Sequence, residues 1–337
     1  MKLLVLGSGS DPHVAAVVEV LRERGVTVAV YDETAPPGAT LALDETGALD
    51  SAFEELPVAA LEAVDLIWLR LKPIFRRKWL ENNDAFPGER AKFVAYRQWG
   101  LFYDNLIALF DGPMIDDPAA RQAQANKLWQ QRLAGELGLS TPPTLVTTQK
   151  SKALAFLDAH GAIIVKPLGA ANVPRPDDPT RTQALTTAPV ARDDLEQADD
   201  SQLSLCPAYF QKYIEKKFEL RVVFIGEKIF SYRIHSQDHE LAKIDWRLGA
   251  EQVNFELSEI DETLVETLRA YMKRSRLTTA SFDLIIDPDG RPWFLECNPD
   301  GQWYWLDAVS DGAIRRAYAE HLVTAARQRH CTESLTG

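Results

Sequence analysis

Ser281-Phe-Asp-Leu-Ile-Ile-Asp-Pro-Asp-Gly-Arg-Pro-Trp-Phe-Leu-Glu-Cys-Asn-Pro-Asp-Gly-Gln-Trp303 holds two short β-rich runs, 282–286 and 293–297, on either side of Asp287-Pro288-Asp289-Gly290. The proline and glycine supply turn angles, so the runs are expected to pair as an antiparallel hairpin. Side chains alternate along a strand, which sends Glu296 and Asn298 to one side and brings Asp283 on the neighbouring strand close to them. Two carboxylates and an amide oxygen suit a hard cation that carries nucleotide phosphates, hence Mg²⁺ with ATP. A surface hairpin with acidic residues facing solvent is the competing reading, and the hairpin by itself does not separate the two. The same alternation turns Cys297 to the opposite face, as a packing residue.

Two lysines upstream have places suited to phosphates. Lys166 ends the apolar run Ala162-Ile-Ile-Val165 beside Pro167-Leu-Gly-Ala-Ala171, where a cation costs desolvation unless an anion pairs with it. Lys127 follows Asn126 within 119–137, whose apolar positions recur at helical spacing before Gly138-Leu-Ser-Thr-Pro-Pro143 ends the helix. Asn126-Lys127, the Ile-Ile-Val-Lys166-Pro strand, Phe210-Gln-Lys-Tyr-Ile-Glu215, Glu219-Leu-Arg221 and Asp283…Glu296-Cys-Asn298 follow one another in an order that resembles the ATP-grasp superfamily. The resemblance implies that both lysines hold nucleotide phosphates. It also implies that Gln211, Lys212, Tyr213 and Ile214 form the strand-to-strand hinge offering backbone groups to adenine, and that Glu219 takes the ribose. Arg221 would face phosphate or the activated acid. Asp283, Glu296 and Asn298 match the metal ligands, with Glu296 bridging two Mg²⁺.

A narrower likeness runs over nearly the whole chain. Asp11-Pro-His-Val-Ala-Ala-Val-Val18, Trp68-Leu-Arg70, Ser236-Gln237, Asp245-Trp-Arg247 and Asn298-Pro-Asp-Gly-Gln-Trp-Tyr-Trp305 resemble the microviridin-type macrocyclases, the graspetide ligases. These close ω-ester or ω-amide rings in a ribosomally made precursor peptide. The resemblance implies a precursor with a leader, Asp or Glu acceptors, and Thr, Ser or Lys nucleophiles, and it implies a homodimer. The aromatic and doubly basic run usual after Trp68 is here Leu-Arg70-Leu-Lys72-Pro73. In such chemistry ATP converts a carboxylate to an acyl phosphate, a transfer that rests on charge neutralisation. Arg247 and Arg221 are candidates to stabilise the later oxyanion and departing phosphate. Asp245 would orient Arg247 or assist proton removal, and His235 is a candidate base, although a lone histidine is more often structural. A ligase joining separate molecules remains the alternative, because it needs the same ATP site.

With 337 residues, 46% of them hydrophobic, the chain can bury several cores. A net charge of −12 argues against a nucleic-acid binder. Cys206, Cys297 and Cys331 lie too far apart for a zinc motif and are too few for a disulfide framework, as expected in a reducing cytoplasm. Met1-Lys-Leu-Leu-Val-Leu6 is too short for a signal or a membrane segment and reads as a first strand. Gly7 and Gly9 do not complete a dinucleotide fingerprint, since Pro12 holds the third position.

The expected class is α/β (α+β): an ATP-grasp fold preceded by an N-terminal α/β domain. Residues 1–115 form that domain, with a helix at 12–24, strands at 26–31 and 64–71, and a loop over 32–50. Residues 116–207 form a central unit ending in a polar insertion, 169–207, that contains Pro174-Arg-Pro-Asp-Asp-Pro179, a hairpin-like 180–190 and an acidic helix at 192–203. In the resembled ligases a hairpin and helix there bind the leader. Residues 208–337 carry the hinge and the metal hairpin. Trp303, Tyr304 and Trp305 read as core. Lys72, Arg76, Arg77 and Lys78 read as a solvated face, with an acidic peptide as their other use.

Overall fold

Leu3–Leu6 are apolar without interruption, the signature of a parallel strand covered on both faces. In the computed structural model, which describes residues 1–169, 172–174 and 182–336, they sit in β1 (Lys2–Gly7). Its partners in a four-stranded parallel sheet are β2 (Thr27–Asp32), β5 (Leu66–Leu69) and β6 (Met114–Ile115), in the order β2-β1-β5-β6. On one face Leu3 and Val5 pack with α1 (Pro12–Glu23) and α11 (Ala313–Thr336); on the other, Leu4 and Leu6 meet Tyr103 and Leu106 of α3 (Glu89–Leu109). The expected loop over 32–50 instead contains a hairpin, β3 (Ala39–Leu43) and β4 (Leu49–Phe53). Asp44 closes its turn by accepting from the amides of Thr46 and Ala48, while Gly47 takes φ +83°.

The helix expected over 119–137 is two helices, α4 (Pro118–Ala123) and α5 (Lys127–Glu136). Gln130 explains the break: its Nε2 donates to the Gln124 carbonyl at 2.6 Å and to the Cys297 carbonyl at 3.0 Å, and its Oε1 accepts from the Cys297 amide at 2.8 Å. A buried glutamine thus replaces the helical hydrogen bond and also completes the edge of a strand.

Two antiparallel sheets follow. One has the order β11-β8-β12-β7, built from β7 (Thr144–Thr147), β8 (Ile163–Lys166), β11 (Ala188–Pro189) and β12 (Ala208–Lys212). Ala153 and Leu157 of α6 (Lys150–His160) cover its face at Ile163 and Phe210. Of the insertion, 170–171 and 175–181 lie outside the described residues; β9 (Asn172–Pro174) pairs with β10 (Thr182–Ala184). The acidic helix divides into α7 (Arg192–Gln197) and α8 (Asp200–Leu205), with Ala198 extended between them.

The other sheet has the order β15-β14-β13-β16-β17, from β13 (Phe218–Ile225), β14 (Lys228–Ile234), β15 (Phe255–Leu257), β16 (Thr279–Ile286) and β17 (Pro292–Asn298). Leu220, Val222, Phe224, Phe282, Leu284, Phe294 and Cys297 form its apolar face against α9 (Glu262–Ser275). Asp116, just past β6, ties this sheet to the first: its carboxylate accepts from the amides and hydroxyls of Thr278 and Thr279 at 2.5–3.0 Å. Trp303 is fully buried and stacks on Tyr318 of α11, as the core reading expects. No described helix is long and apolar enough to cross a membrane.

Candidate active site

The hairpin forms as expected, with Asp283 directly opposite Glu296 and Ser281 opposite Asn298. The register slips between Leu284, paired with Phe294, and Asp283, paired with Glu296, so that Leu295 is an extra residue. That bulge reverses the alternation. Without it Glu296 would share the buried face of Phe294; with it Glu296 and Asn298 join Asp283, and Cys297 turns into the core with Phe282.

The three side chains edge a cavity of about 1100 Å³ between the two antiparallel sheets. Lys127, Lys166, Gln211, Lys212, Tyr213, Ile214, Glu219, Arg221, Asp245 and Arg247 also line it. His235 does not; it lies apart, with Nε2 3.0 Å from Glu256.

On the hairpin side the charges are partnered. Arg221 places Nη1 2.6 and 2.7 Å from the oxygens of Asp283 and donates Nη2 to the Gln302 carbonyl at 2.8 Å. Lys127 lies 3.6 Å from Glu296, and the Asn298 amide reaches Glu296 at 3.1 Å and Asp283 at 3.4 Å. Gln130 fixes this arrangement, since Lys127 stands one turn before the residue that grips Cys297. Burial raises the Asp283 carboxyl to about 6, with the charge of Glu296 adding to the rise and Arg221 opposing it. At Glu296 the effect of burial is outweighed by Lys127, the Asn298 amide and Lys166, which hold it down to about 2. Rotating the Asn298 amide by half a turn presents its oxygen to the same point, so the three residues offer an all-oxygen set that fits Mg²⁺.

The facing sheet is different. Lys166 has its ammonium 5.5 Å from the centre of the Tyr209 ring. Burial, and then repulsion from Lys127, lower it to about 8. Gln211 is fully buried; its Nε2 donates to Thr144 and Tyr209, and its Oε1 has no hydrogen-bond partner among the described residues. The amides of Lys212 and Tyr213 are taken by the carbonyls of Pro143 and Ala162. Across the cavity, in β13 of the five-stranded sheet, Glu219 is buried against the Lys216 ammonium at 2.9 Å, which also reaches the Ile244 carbonyl. Lys216 escaped the sequence reading; its place three residues before Glu219 was the available signal.

Asp245 grips Arg247 with both oxygens, at 2.7 and 2.8 Å, and accepts the Arg247 amide, while 60% of the Arg247 side chain is exposed. Burial would raise Asp245, but Arg247 holds it below the usual carboxylate range.

The basic run after Trp68 departs from a solvated face. Lys72 is half-buried with its ammonium 3.3 Å from Asp11, and Arg76 is buried over the ring of Tyr96. Arg77 remains exposed, paired with Glu81. Trp305 lines the cavity beside Trp246, so it is not core alone.

Solved structures that share this architecture include ATP-grasp ligases. A RiPP-associated ATP-grasp ligase of Chryseobacterium gregarium, in complex with ADP and a leader and core peptide, superposes with a TM-score of 0.81 at 22% identity over 96% of each chain. The chain has the ATP-grasp fold. The macrocyclase MdnC of Microcystis aeruginosa MRC, bound with precursor peptide MdnA, gives 0.80 at 24% identity over 96% of this chain and 100% of that one. MdnB of the same organism, also a macrocyclase, gives 0.72 at 25% identity over 96% and 99%. Among curated proteins, glutathione synthetase of Neisseria meningitidis serogroup A / serotype 4A is 32% identical over 152 residues, 43% of this chain and only 44% of that protein. No protein-family model matches the chain.

Proposed function

We propose that this protein is an ATP- and Mg²⁺-dependent macrocyclase of a ribosomally made precursor peptide. The observation that carries the reading is the convergence, in one cavity, of two lysines, an arginine and an all-oxygen hairpin triad with a strand-to-strand hinge opposite. Similarity over nearly the full chain to ligases solved with leader, core or precursor peptides favours a peptide substrate over a free amino acid.

In this reading Lys127 and Lys166 hold the phosphates, residues 211–214 receive adenine, and Glu219, steadied by Lys216, takes the ribose. Asp283, Glu296 and Asn298 would hold Mg²⁺, two ions in this reading, which would supply charge neutralisation for phosphoryl transfer. An Asp or Glu oxygen of the peptide attacks the γ-phosphorus and ADP leaves. A Thr or Ser hydroxyl, or a Lys amine, then attacks the acyl carbon, loses its proton and expels phosphate, forming ester or amide. Arg221 and Arg247 stabilise the charge that develops. Asp245, with both oxygens committed to Arg247 and its pKa lowered, acts as the orienting partner and not as the base. His235 has no part in the cavity in this account. The units 1–115, 116–207 and 208–337, leader binding by the 169–207 insertion, a homodimer and a cytoplasmic setting belong to the same proposal.

The test is the intact mass of a candidate precursor after incubation with protein, Mg²⁺, ATP and mixed free amino acids. Cyclisation removes one water per bond formed. A gain of one residue mass would instead make the protein an intermolecular ligase. Glu296→Gln should abolish peptide-dependent ADP formation, and persisting turnover in that variant would sink the metal assignment.

A further inference from the structure

Loop 299–303, which leaves the metal hairpin, is gripped from three directions. Arg121 forks onto Asp300 at 2.7 and 2.6 Å while donating to the Leu69 carbonyl at 2.9 Å. Arg221 donates to the Gln302 carbonyl with the same guanidinium that holds Asp283. The third grip comes from the far end of the sequence: His13 Nε2 accepts from the amides of Trp303 at 2.9 Å and Tyr304 at 3.2 Å. These amides open the short helix α10 (Tyr304–Val309) and have no helical acceptor of their own.

An Nε2 that faces two donors must be unprotonated, so the imidazole proton sits on Nδ1, which donates to Asp11 at 2.6 Å. Asp11 is itself anchored: it caps α1 through the His13 amide, and Arg70 and Lys72 approach it at 3.1 and 3.3 Å. His13 is 4% exposed and its ring meets Trp303 edge-on with centroids 5.0 Å apart. Burial, helped by Arg70 and Lys72 against the pull of Asp11, lowers its pKa to about 4, so the neutral form persists at ordinary pH. Gly301 closes the loop tightly, because a Cβ there would collide with the Ser281 side chain.

We infer that His13 is a positioning residue for the nucleotide and metal end of the cavity. By holding the Trp303 and Tyr304 amides it sets the loop whose Gln302 carbonyl orients Arg221, and Arg221 in turn orients Asp283. This rests on the reading of Asp283, Glu296 and Asn298 as the Mg–ATP end.

Two isosteric replacements separate the two bonds of the imidazole. His13→Gln puts an acceptor oxygen where Nε2 stood and gives up the Nδ1–H bond to Asp11. His13→Asn keeps a donor for Asp11 and leaves the buried Trp303 amide and the part-buried Tyr304 amide without an acceptor. Calorimetric Mg–ATP affinity should weaken about tenfold in His13→Asn and stay within about threefold of wild type in His13→Gln. Thermal stability should fall in both, and KM for the peptide should move in neither. Equal losses of affinity in the two variants, or losses that track Tm, would leave His13 a purely structural residue and overturn the inference. Failure of the wild-type protein to bind Mg–ATP would overturn the site assignment itself, and this inference with it.

Discussion

The two walls of the cavity solve the problem of buried charge in opposite ways. On the five-stranded sheet each charge has found a counter-charge: Arg221 with Asp283, Lys127 with Glu296. On the four-stranded sheet, among the described residues, Lys166 rests on an aromatic face with no carboxylate in salt-bridge contact, feeling Glu296 only at a distance, and the Gln211 oxygen has no hydrogen-bond partner. The first wall is pre-neutralised; in the proposed function it would exchange partners when Mg–ATP arrives, so that binding there would trade one set of ionic contacts for another. The second wall holds unspent donor and acceptor capacity, and a ligand that meets it relieves a cost already present in the free protein.

If the partnered wall carries the chemistry, removing one of its charges has the largest effect. Asp283→Asn should lower peptide-dependent ATP turnover by about 10²–10³-fold. It should also lower Tm in the nucleotide-free state, because Arg221, only 7% exposed, loses its bidentate partner. A variant with near-wild-type turnover would break the comparison at its centre. A smaller and more diagnostic effect is expected from the other wall. Lys166→Met should weaken ATP binding about tenfold to a hundredfold, yet raise Tm of the nucleotide-free protein by about 2 °C, since a partly buried ammonium with no salt-bridge partner among the described residues is replaced by an apolar chain of similar length. A fall in Tm would mean that Lys166 is satisfied without nucleotide, and the contrast between the walls would disappear.

The residues that line the cavity were legible in the sequence where the signal was local, and were lost where it was not. The hairpin could be read because a Pro-Asp-Gly turn and a period of two are written in consecutive residues. The bulge at Leu295 was not legible, although the site depends on it: an uninterrupted alternation contradicts itself, since Phe294 and Glu296 would share a face, and that conflict was the only hint. Gln130 and His13 stayed silent for a different reason. Their partners lie 167 and 290 residues away, and a neutral polar residue carries no mark of a distant backbone group it satisfies. The same limit hid the fate of Arg76 and Lys72, which composition reads as solvated but tertiary packing places against Tyr96 and Asp11. Elsewhere, helix breaks at 124–126 and 198 interrupted periodicities that looked continuous.

The contrast between the walls also has a pH signature, the smallest of the expected effects. Lys166 is lowered from 10.5 to about 8, and for a base this means that folding disfavours the charged form. Its penalty on the nucleotide-free protein is therefore largest below about pH 8 and fades as the pH rises from there towards 10.5, over which range this group alone should make the free protein more stable. Phosphates bound at Lys166, as the proposed function places them, would reverse the preference by holding the ammonium charged. Above pH 8 nucleotide binding must then take up a proton, and affinity must fall as the pH climbs. Calorimetry of ATP binding at about pH 8.5 in two buffers of different ionisation enthalpy should register that uptake in the wild-type protein and lose it in Lys166→Met. The partnered wall makes no such demand at this pH, since Glu296 at about 2 and Asp283 at about 6 are already ionised. Proton uptake that survives in Lys166→Met would therefore assign the titrating group elsewhere and remove the electrostatic basis for treating the two walls as different.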